Sequence, residues 1–343
     1  MSRASQAANG KLFGRHFHSV FKYWYLQVLA QVLFVDFSGD NSVRITTAEP
    51  GRRPPAAQLY RCQSLGEFDK ALENFLASAN KPDLLGAAFS ICGWEQEGTF
   101  EMPNLSYRIN RNWIKERLGI RRLNIVNDCV ATALAIDHLE VAERRLICGS
   151  ATASEQIRAM IAVGRGLGTA SILTDELGNS VAYPCAGGHS DLPATTDREF
   201  AVVRWLRQKY GHVSRVRAIS SAGLAEVYYC LMVLDGLKPR VTSVTQVVAL
   251  ARDGDMWASD AVKLVTGWLA AMASDTVLCV GARGGLYLAG SYFDMIGNLF
   301  DSAHFTTRFY RKGRLESYLQ NVPVYLVKTH EPEMLGLSTL FGR

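Results

Sequence analysis

The chain alternates between short apolar runs and longer segments in which apolar residues recur at helical spacing. The stretch "VLFVDFSGDNSVRI", Val32 to Ile45, ends its apolar run at Asp36, crosses a Gly-containing turn and resumes as an alternating pattern, which predicts a β-hairpin. Residues 64–78 carry the spacing of an amphipathic helix, and "LLGAAFSIC", residues 84–92, has the composition of a buried strand. The pattern thus begins as hairpin, helix and strand.

The rest of the chain continues this alternation. A short helix is predicted at 113–118, followed by the strand "RLNIVND" and the helix "CVATALAIDHL". A second strand, Gly turn and strand follow at residues 158–175, before a turn-rich stretch, "YPCAGGHSDLPATTD". Residues 198–281 are mostly helical in pattern, and "GGLYLAGS" and "VPVYLVKTH" predict two late strands. Alternating strands and helices indicate an α/β protein.

The two Gly-turned hairpins indicate two related halves that face one ligand cleft. We predict an N-terminal extension at 1–31, a small α/β domain at 32–138 and a large α/β domain at 139–329. The C-terminal helix, 330–343, is expected to return to the small domain.

Composition and charge exclude several classes of protein. Hydrophobic residues make up 48% of the 343 residues and charged residues 20%, as in a globular protein with a core. The net charge of +5 comes from scattered basic residues, so no nucleic-acid partner is predicted. The seven cysteines are widely spaced and show no disulfide or metal-ligand pattern, which favours reduced thiols and a cytoplasmic location.

The N-terminal extension has a composition of its own. Residues 1–31 contain four basic residues, no acidic residue and apolar residues at helical spacing. This pattern is typical of a targeting or membrane-surface helix, but equally of a helix that packs on the domain or forms a dimer contact. No run of 18 uninterrupted apolar residues occurs in the chain, so no transmembrane segment is predicted.

Asn127 and Asp128 are the first candidates for chemistry. They stand where a predicted buried strand ends and a helix begins, a position that holds side chains rigidly. A carboxylate held in this way can accept a proton as a general base. Either residue can instead simply cap the helix, and the residues alone leave both interpretations open.

Glycine-rich turns supply the other candidates. Gly164, Gly166 and Gly168 in the second hairpin can turn backbone N–H groups towards phosphate oxygens. His189 follows two Gly residues, which leave room for a ligand to approach the backbone closely. In the first hairpin, however, Asp40 places a carboxylate at the tip of the turn. Phosphates are anions, so a phosphate site there needs an explanation.

Several motifs, in order and spacing, resemble the bacterial-type glucokinase family. They are "VDFSGDN", "NIVNDCVATALAI", "AVGRGLGTA", "YPCAGGHSD", "GHVSRVRAISSAGL", "GGLYLAG" and "KGRLESYLQNVPVYLV". The resemblance implies the two-domain hexokinase/actin-like (ribonuclease H-like) fold with a ligand cleft between domains. It also implies transfer of the ATP γ-phosphoryl group to a hexose hydroxyl with Mg²⁺, and a homodimer.

The resemblance assigns roles to individual residues. It places the general base at Asp128, sugar contacts at Asn127, Gly188 and His189, and a Mg²⁺ contact through water at Asp36. The resemblance also implies a nucleotide site, which includes the late Gly motif of Gly284, Gly285 and Gly290. The predicted nucleotide-binding residues are Asp36, Gly39, Asn41, Gly164, Arg165, Gly166, Gly168, Gly284 and Gly285.

The phosphate loops depart from the family pattern. The family has Asp-x-Gly-Gly-Thr-Asn in the first loop. This chain keeps Asp36, Gly39 and Asn41, but Ser38 replaces a Gly and Asp40 replaces the Thr. A carboxylate near phosphate in a partly desolvated cleft is repulsive by roughly 1 to 4 kcal/mol. In the second loop Arg165 replaces a Thr, and its guanidinium is expected either to bind phosphate or to pair with Asp40.

The sugar side has lost two carboxylates. Ala186 and Val216 stand where the family has sugar-binding Glu residues. Two unpaired sugar hydroxyls would weaken glucose binding by roughly two to four orders of magnitude. Candidates to compensate are Asp191, Glu95 and Glu97. The main hypothesis is therefore a sugar kinase with an altered acceptor, and the alternative is a catalytically degenerate protein that acts as a sugar or nucleotide sensor or as an interaction module.

Overall fold

The computed structural model describes residues 30–150 and 157–342. The helix predicted in the N-terminal extension therefore lies outside the described residues. The chain divides into two compact units. The first runs to Ala131 and includes the C-terminal segment from Glu331, and the second spans Thr132–His330.

The first unit is built on a five-stranded sheet. Its strand order is β3-β2-β1-β4-β8, in which β1, β4 and β8 are parallel, β2 is antiparallel to β1, and β3 is antiparallel to β2. A small three-stranded sheet, β5-β6-β7, is inserted after β4. The elements are β1 (Gln31–Asp36), β2 (Ser42–Ala48), β3 (Gln58–Arg61), α1 (Leu65–Ser78), β4 (Leu84–Ile91), β5 (Trp94–Gln96), β6 (Thr99–Glu101), β7 (Ile109–Asn110), α2 (Arg111–Leu118), β8 (Arg122–Asn127) and α3 (Asp128–Ala135), whose last four residues belong to the second unit.

The second unit contains a six-stranded sheet with a helical layer. The strand order is β12-β11-β10-β13-β14-β9, in which β10, β13 and β14 are parallel. Its elements, followed by the last helix of the first unit, are β9 (Arg144–Cys148), β10 (Ile157–Val163), β11 (Leu167–Thr174), β12 (Ser180–Cys185), α4 (Asp197–Tyr210), α5 (Ser221–Leu234), α6 (Val244–Arg252), α7 (Met256–Val280), β13 (Leu286–Ala289), α8 (Ser291–Ile296), α9 (Ser302–Tyr310), α10 (Glu316–Leu319), β14 (Val324–Val327) and α11 (Pro332–Thr339).

Helices cover both faces of the sheet in the first unit. Helix α1 begins after Ser64, whose hydroxyl accepts a hydrogen bond from the Glu67 N–H at 3.2 Å, as its capping pattern requires. Its apolar face, with Phe68 and Leu72, packs on one side of the sheet. Helix α11 packs on the other side, where Leu337 joins the apolar residues of β1 and β4.

Helix α7 forms the centre of the second unit. Its length and apolar composition would allow it to cross a membrane, but two thirds of its most apolar window is buried within the protein. Trp268 and Leu269 are fully buried there and pack against the neighbouring helices. It is therefore the core helix of this unit.

The α/β class predicted from the sequence is confirmed, and both hairpins form. The reading of residues 183–197 as turn-rich was wrong at its start, because Tyr183 to Cys185 end strand β12, which pairs with β11. The helix after β8 was predicted too long, since α3 ends at Ala135 and a single 3₁₀ turn, Ile136–His138, follows it.

We expect the replacement Leu337→Ala to reduce the free energy of unfolding by about 2 to 5 kcal/mol, because it opens a cavity under α11. Leu337 is fully buried, whereas Leu315 is 48% exposed, so Leu315→Ala serves as the matched control. Urea denaturation measures both variants. Equal losses would contradict the docking of α11 described above.

Candidate active site

The carboxyl ends of three parallel strands meet at one edge of the first unit's sheet. The register pairs Asp36 of β1 with Ser90 of β4, and Ile91 of β4 with Asn127 of β8. Polar side chains that follow these strands therefore lie along the same edge. In this way the structure brings together three residues that the sequence singled out, Asp36, Asn127 and Asp128.

Asp128 is the first residue of α3 and is held by the backbone of the next residue. Its Oδ1 accepts a hydrogen bond from the Cys129 N–H at 2.8 Å, and the Asn127 Oδ1 accepts from the same N–H at 2.9 Å. Both residues thus cap the helix. Capping fixes the Asp128 carboxylate in place, so this role and a catalytic role are compatible.

The surroundings of Asp128 favour a basic carboxylate. Burial raises its pKa, and the nearby carboxylate of Asp36 adds to the rise. The Cys129 N–H and the thiols of Cys92 and Cys129 oppose the shift by donating hydrogen bonds to the carboxylate. The net effect is a pKa above the ordinary value of an aspartate.

The two thiols at Asp128 were not predicted from the sequence. Burial raises the pKa of Cys92 to about 12, with a further contribution from the Asp128 carboxylate, and it also raises the pKa of Cys129. Both thiols therefore stay protonated at neutral pH and act as hydrogen-bond donors. Their spacing in the sequence gives no sign of this, since Cys92 follows β4 and Cys129 lies in α3.

Two residues outside the first loop hold it in place, one through the loop backbone and one through the Asn41 side chain. Asn104 donates through Nδ2 to the Phe37 and Gly39 carbonyls, at 2.5 and 2.8 Å. Ser106 donates through its N–H and its hydroxyl to the Asn41 Oδ1, at 3.1 and 3.2 Å. The predicted residues Gly39 and Asn41 thus belong to a loop that is fixed from a distant part of the chain.

A further carboxyl group near this edge comes from the C-terminal helix. Glu333 is half-buried in the first turn of α11. Burial raises its pKa to about 8, and the carboxylates of Asp36 and Asp128 add to the rise, while Arg44 lowers it. Glu333 is therefore largely protonated at neutral pH. Sequence reasoning missed it because it lies far along the chain from the other acids.

In the second unit, the hairpin between β10 and β11 has a narrow tip. The Gly164 N–H donates to the Gly166 carbonyl at 3.0 Å, and Arg165 and Gly166 are exposed. The N–H of Ser221, the first residue of α5, donates to the Gly164 carbonyl at 2.8 Å. The N-terminus of a long helix, which favours anions, therefore lies at the predicted phosphate turn.

The late glycines lie at the two ends of β13. Gly284 and Gly285 precede the strand, are buried, and the Gly284 N–H donates to the Ile157 carbonyl at 2.9 Å. Gly290 follows the strand with φ +106, and a Cβ there would lie 2.3 Å from the Val163 carbonyl oxygen. Gly290 therefore shares the carboxyl edge of β10 and β13 with the hairpin tip, whereas Gly284 and Gly285 lie at the opposite end.

Gly168 lies inside the sheet. It pairs with Ala162 in the β10–β11 ladder, one step from the turn, and is half-buried. The hairpin tip proper therefore consists of Gly164, Arg165 and Gly166.

The predicted sugar segment forms a 3₁₀ turn, Gly187–His189. Gly188 is buried, and a Cβ at this position would lie 2.2 Å from the Leu167 carbonyl oxygen, so only glycine fits. His189 is exposed, and the chain after it is fixed by a hydrogen bond from the Arg215 N–H to the Ser190 carbonyl at 2.9 Å.

Two candidate replacements for the missing sugar-binding carboxylates, Asp191 and Glu95, contact other residues of the protein. In the second unit, Ala186 is exposed, Val216 is half-buried, and the Asp191 carboxylate lies 2.7 Å from the His212 Nε2. In the first unit Glu95 forms an ion pair with Arg111, which lowers its pKa. Asp191 and Glu95 thus already have partners.

The residues at Asp36 do not fit a directly bound metal ion. Both of its carboxylate oxygens accept hydrogen bonds from protein donors, two on each oxygen. Across residues 30–150 and 157–342, no group of three or more His, Cys, Asp or Glu side chains is arranged to hold a metal. A contact of Asp36 with Mg²⁺ through water stays a prediction.

Sequence comparison identifies the family of this chain. A family model described as glucokinase matches residues 35–343. The glucokinase of Pseudomonas paraeruginosa is 34% identical over 291 residues, which cover 83% of this chain and 85% of that protein. The chain belongs to the glucokinase family.

Solved structures agree with this fold. A glucokinase from an Antarctic psychrotroph superimposes with a TM-score of 0.80 at 22% identity, over 91% of this chain and 98% of the other. A glucokinase from Balamuthia mandrillaris in complex with glucose gives a TM-score of 0.74 at 15% identity, over 96% of this chain and 99% of the other.

We expect Glu333→Gln to change how stability depends on pH. Between the ordinary glutamate pKa of 4.5 and the raised value of about 8, the unfolded chain releases a proton that the folded chain retains. The wild type should therefore lose free energy of unfolding, relative to Glu333→Gln, as the pH rises through this range. Urea denaturation at a series of pH values measures the difference.

The matched control for this experiment is Glu316→Gln, because Glu316 is exposed at the start of α10. Its stability should follow the wild type at every pH. Parallel curves for the wild type and Glu333→Gln would show that the Glu333 carboxyl is ionised in the folded protein.

Proposed function

We propose that the protein transfers the γ-phosphoryl group of ATP to a hydroxyl group of a hexose, with Asp128 as the general base. The observation that carries this proposal is the position of Asp128. Its carboxylate stands at the carboxyl edge of the parallel strands, is fixed by the Cys129 N–H, and has a raised pKa. Membership of the glucokinase family supports the same reaction.

Asp128 would accept the proton of the sugar hydroxyl as its oxygen attacks the γ-phosphorus. The new oxygen–phosphorus bond forms while the bond to the ADP oxygen breaks, and the proton remains on the carboxylate until the product leaves. A raised pKa increases the affinity of the carboxylate for this proton. Because Cys129 fixes Oδ1, the carboxylate does not need to reorient during the reaction.

The nucleotide phosphates would bind through the hairpin tip of the second unit. Gly164 and Gly166 leave the backbone accessible, and the N-terminus of α5 favours negative charge. Arg165 adds a cationic side chain at this tip. Mg²⁺, when bound to ATP, would neutralise phosphate charge. In the first unit, Asp36, Gly39 and Asn41 would shape the loop, with Asp40 exposed beside them.

The sugar would contact Asn127, Gly188 and His189. The glycine at position 188 is required by packing, since a Cβ there would lie 2.2 Å from the Leu167 carbonyl oxygen, and this packing fixes the turn that carries His189. With Ala186 and Val216 in place of carboxylates, glucose would bind more weakly than a hexose that does not need these two acceptors. The proposed acceptor is therefore glucose or a related hexose, and glucose itself is expected to bind weakly.

We further propose a cytoplasmic homodimer. The seven cysteines are all free thiols, which supports a reducing compartment. The dimer rests on the family resemblance alone, and size-exclusion chromatography with light scattering measures it.

We expect Asp128→Asn to lower kcat by about 10²- to 10⁴-fold, because the amide cannot accept the hydroxyl proton. The assay couples ADP release to a spectroscopic signal, with Mg-ATP and a panel of hexoses and amino sugars. Binding of the sugar should change much less than kcat, because the amide retains the shape of the carboxylate.

The control is Asp253→Asn, an exposed aspartate after α6, which should keep full activity. If no sugar supports ADP release above the level of Asp128→Asn in folded protein, the proposed reaction is wrong.

We expect Ala186→Glu to lower the KM for glucose by roughly tenfold, because a carboxylate at this exposed position can again accept a sugar hydroxyl. Val181→Glu, which adds a carboxylate to the exposed part of β12, serves as the control and should leave KM unchanged. An equal KM for the wild type and Ala186→Glu would argue against a role of position 186 in sugar binding.

A further inference from the structure

The Asp36 carboxylate is buried and fully hydrogen-bonded. Only 1% of its surface is exposed. Its Oδ1 accepts from the Ser38 N–H at 3.2 Å and from the Ser90 hydroxyl at 2.8 Å. Its Oδ2 accepts from the Ser38 hydroxyl at 2.6 Å and from Arg44 Nη1 at 3.2 Å. A carboxylate has about four acceptor positions, so none remains for a metal ion.

Arg44 provides the positive charge among these donors. It lies directly opposite Asp36 in the antiparallel pair of β1 and β2, so both side chains are on the same face of the sheet. Arg44 is 34% exposed. The burial of Asp36 makes the ion pair necessary, because an uncompensated buried carboxylate is strongly unfavourable.

The same guanidinium reaches the C-terminal segment. Arg44 Nε lies 3.8 Å from Glu331 Oε1, and the other oxygen of Glu331 accepts from the Ala57 N–H at 3.0 Å. Glu331 immediately precedes α11. The planar guanidinium, with its several N–H groups, can contact two carboxylates at once, which an ammonium group cannot do in a fixed geometry.

We propose that Arg44 is a positioning residue. It holds the buried Asp36 carboxylate at the strand edge that carries Asp128, and it joins this carboxylate to Glu331 at the start of α11. It also occupies the place that a divalent cation would need for a direct bond to Asp36. This goes beyond the reaction proposed above, which assigns no role to Arg44.

The ion pair of Arg44 with Asp36 also affects the negative charge near Asp128. Asp36 acts on Asp128 and on Glu333 through its negative charge. Arg44 keeps that charge in a fixed position and balances part of it. Arg44 therefore acts on the proposed base through Asp36 rather than by contact with substrate.

A double-mutant cycle tests the ion pair between Arg44 and Asp36 without any need for turnover. The proteins are the wild type, Arg44→Gln, Asp36→Asn and the double variant, each unfolded in urea. We expect the two substitutions to be non-additive by at least tenfold in the unfolding equilibrium constant, about 1.4 kcal/mol, because each removes the same ion pair. Additive losses would overturn the proposal. If Arg44→Gln does not fold, Arg44→Lys takes its place, because lysine keeps the positive charge but lacks the planar guanidinium that contacts both carboxylates.

The same unfolding curves, recorded with and without Mg²⁺ in the absence of nucleotide, test whether Arg44 prevents Mg²⁺ from binding at Asp36. Removing Arg44 leaves Asp36 without its counter-ion, so Mg²⁺ should shift the midpoint of Arg44→Gln more than that of the wild type and of the double variant. A Mg²⁺ shift in the wild type that disappears in Asp36→Asn would show that Asp36 binds the ion, and would overturn the proposal.

Kinetic measurements distinguish a role of Arg44 in positioning the site from a role in stability alone. Arg44→Gln should lower kcat by about tenfold or more and leave the KM for the sugar within about twofold, because Asp128 and not the sugar contacts would be affected. Arg61→Gln is the matched control, since Arg61 is exposed in β3 of the same sheet and should keep wild-type kinetics. An unchanged kcat in Arg44→Gln, despite the measured loss of stability, would reduce Arg44 to a structural residue.

Discussion

A parallel sheet collects polar side chains at its carboxyl edge, and here two of them are acids that require donors from other parts of the chain. Asp36 is almost completely buried and obtains donors from its own loop, from β4 through Ser90 and from β2 through Arg44. Asp128 obtains a backbone N–H and two thiols. The first loop, the start of α3 and the C-terminal helix are all arranged around these two carboxylates.

Much of the fold could be predicted because its signals are local. Ser64 and the helical spacing after it identify α1, and the Gly turns identify both hairpins. The position of Asn127 and Asp128 at a strand end could be predicted for the same reason, because the apolar run stops and a helical pattern begins within two residues. The motif resemblance then supplied the family, which the comparisons show.

The rest of the site depends on contacts between residues far apart in the chain. Nothing near Arg44 in the sequence indicates that it lies between Asp36 and Glu331, because β2 and α11 meet only in the folded unit. Glu333 and the Asn104 amide were missed for the same reason. Strand β12 was missed because Pro184 and the glycines after it resemble a turn, although its edge position tolerates a proline.

The first unit is discontinuous, and this affects the order in which the protein can fold as it leaves the ribosome. Its last helix, α11, follows the whole of the second unit in the chain. The second unit, one continuous stretch, can therefore complete its core while β1 and β4 still expose the apolar face that α11 later covers. A nascent chain of this protein thus carries an uncovered apolar sheet face from the emergence of β4 until α11 has emerged, an interval that includes the synthesis of the whole second unit.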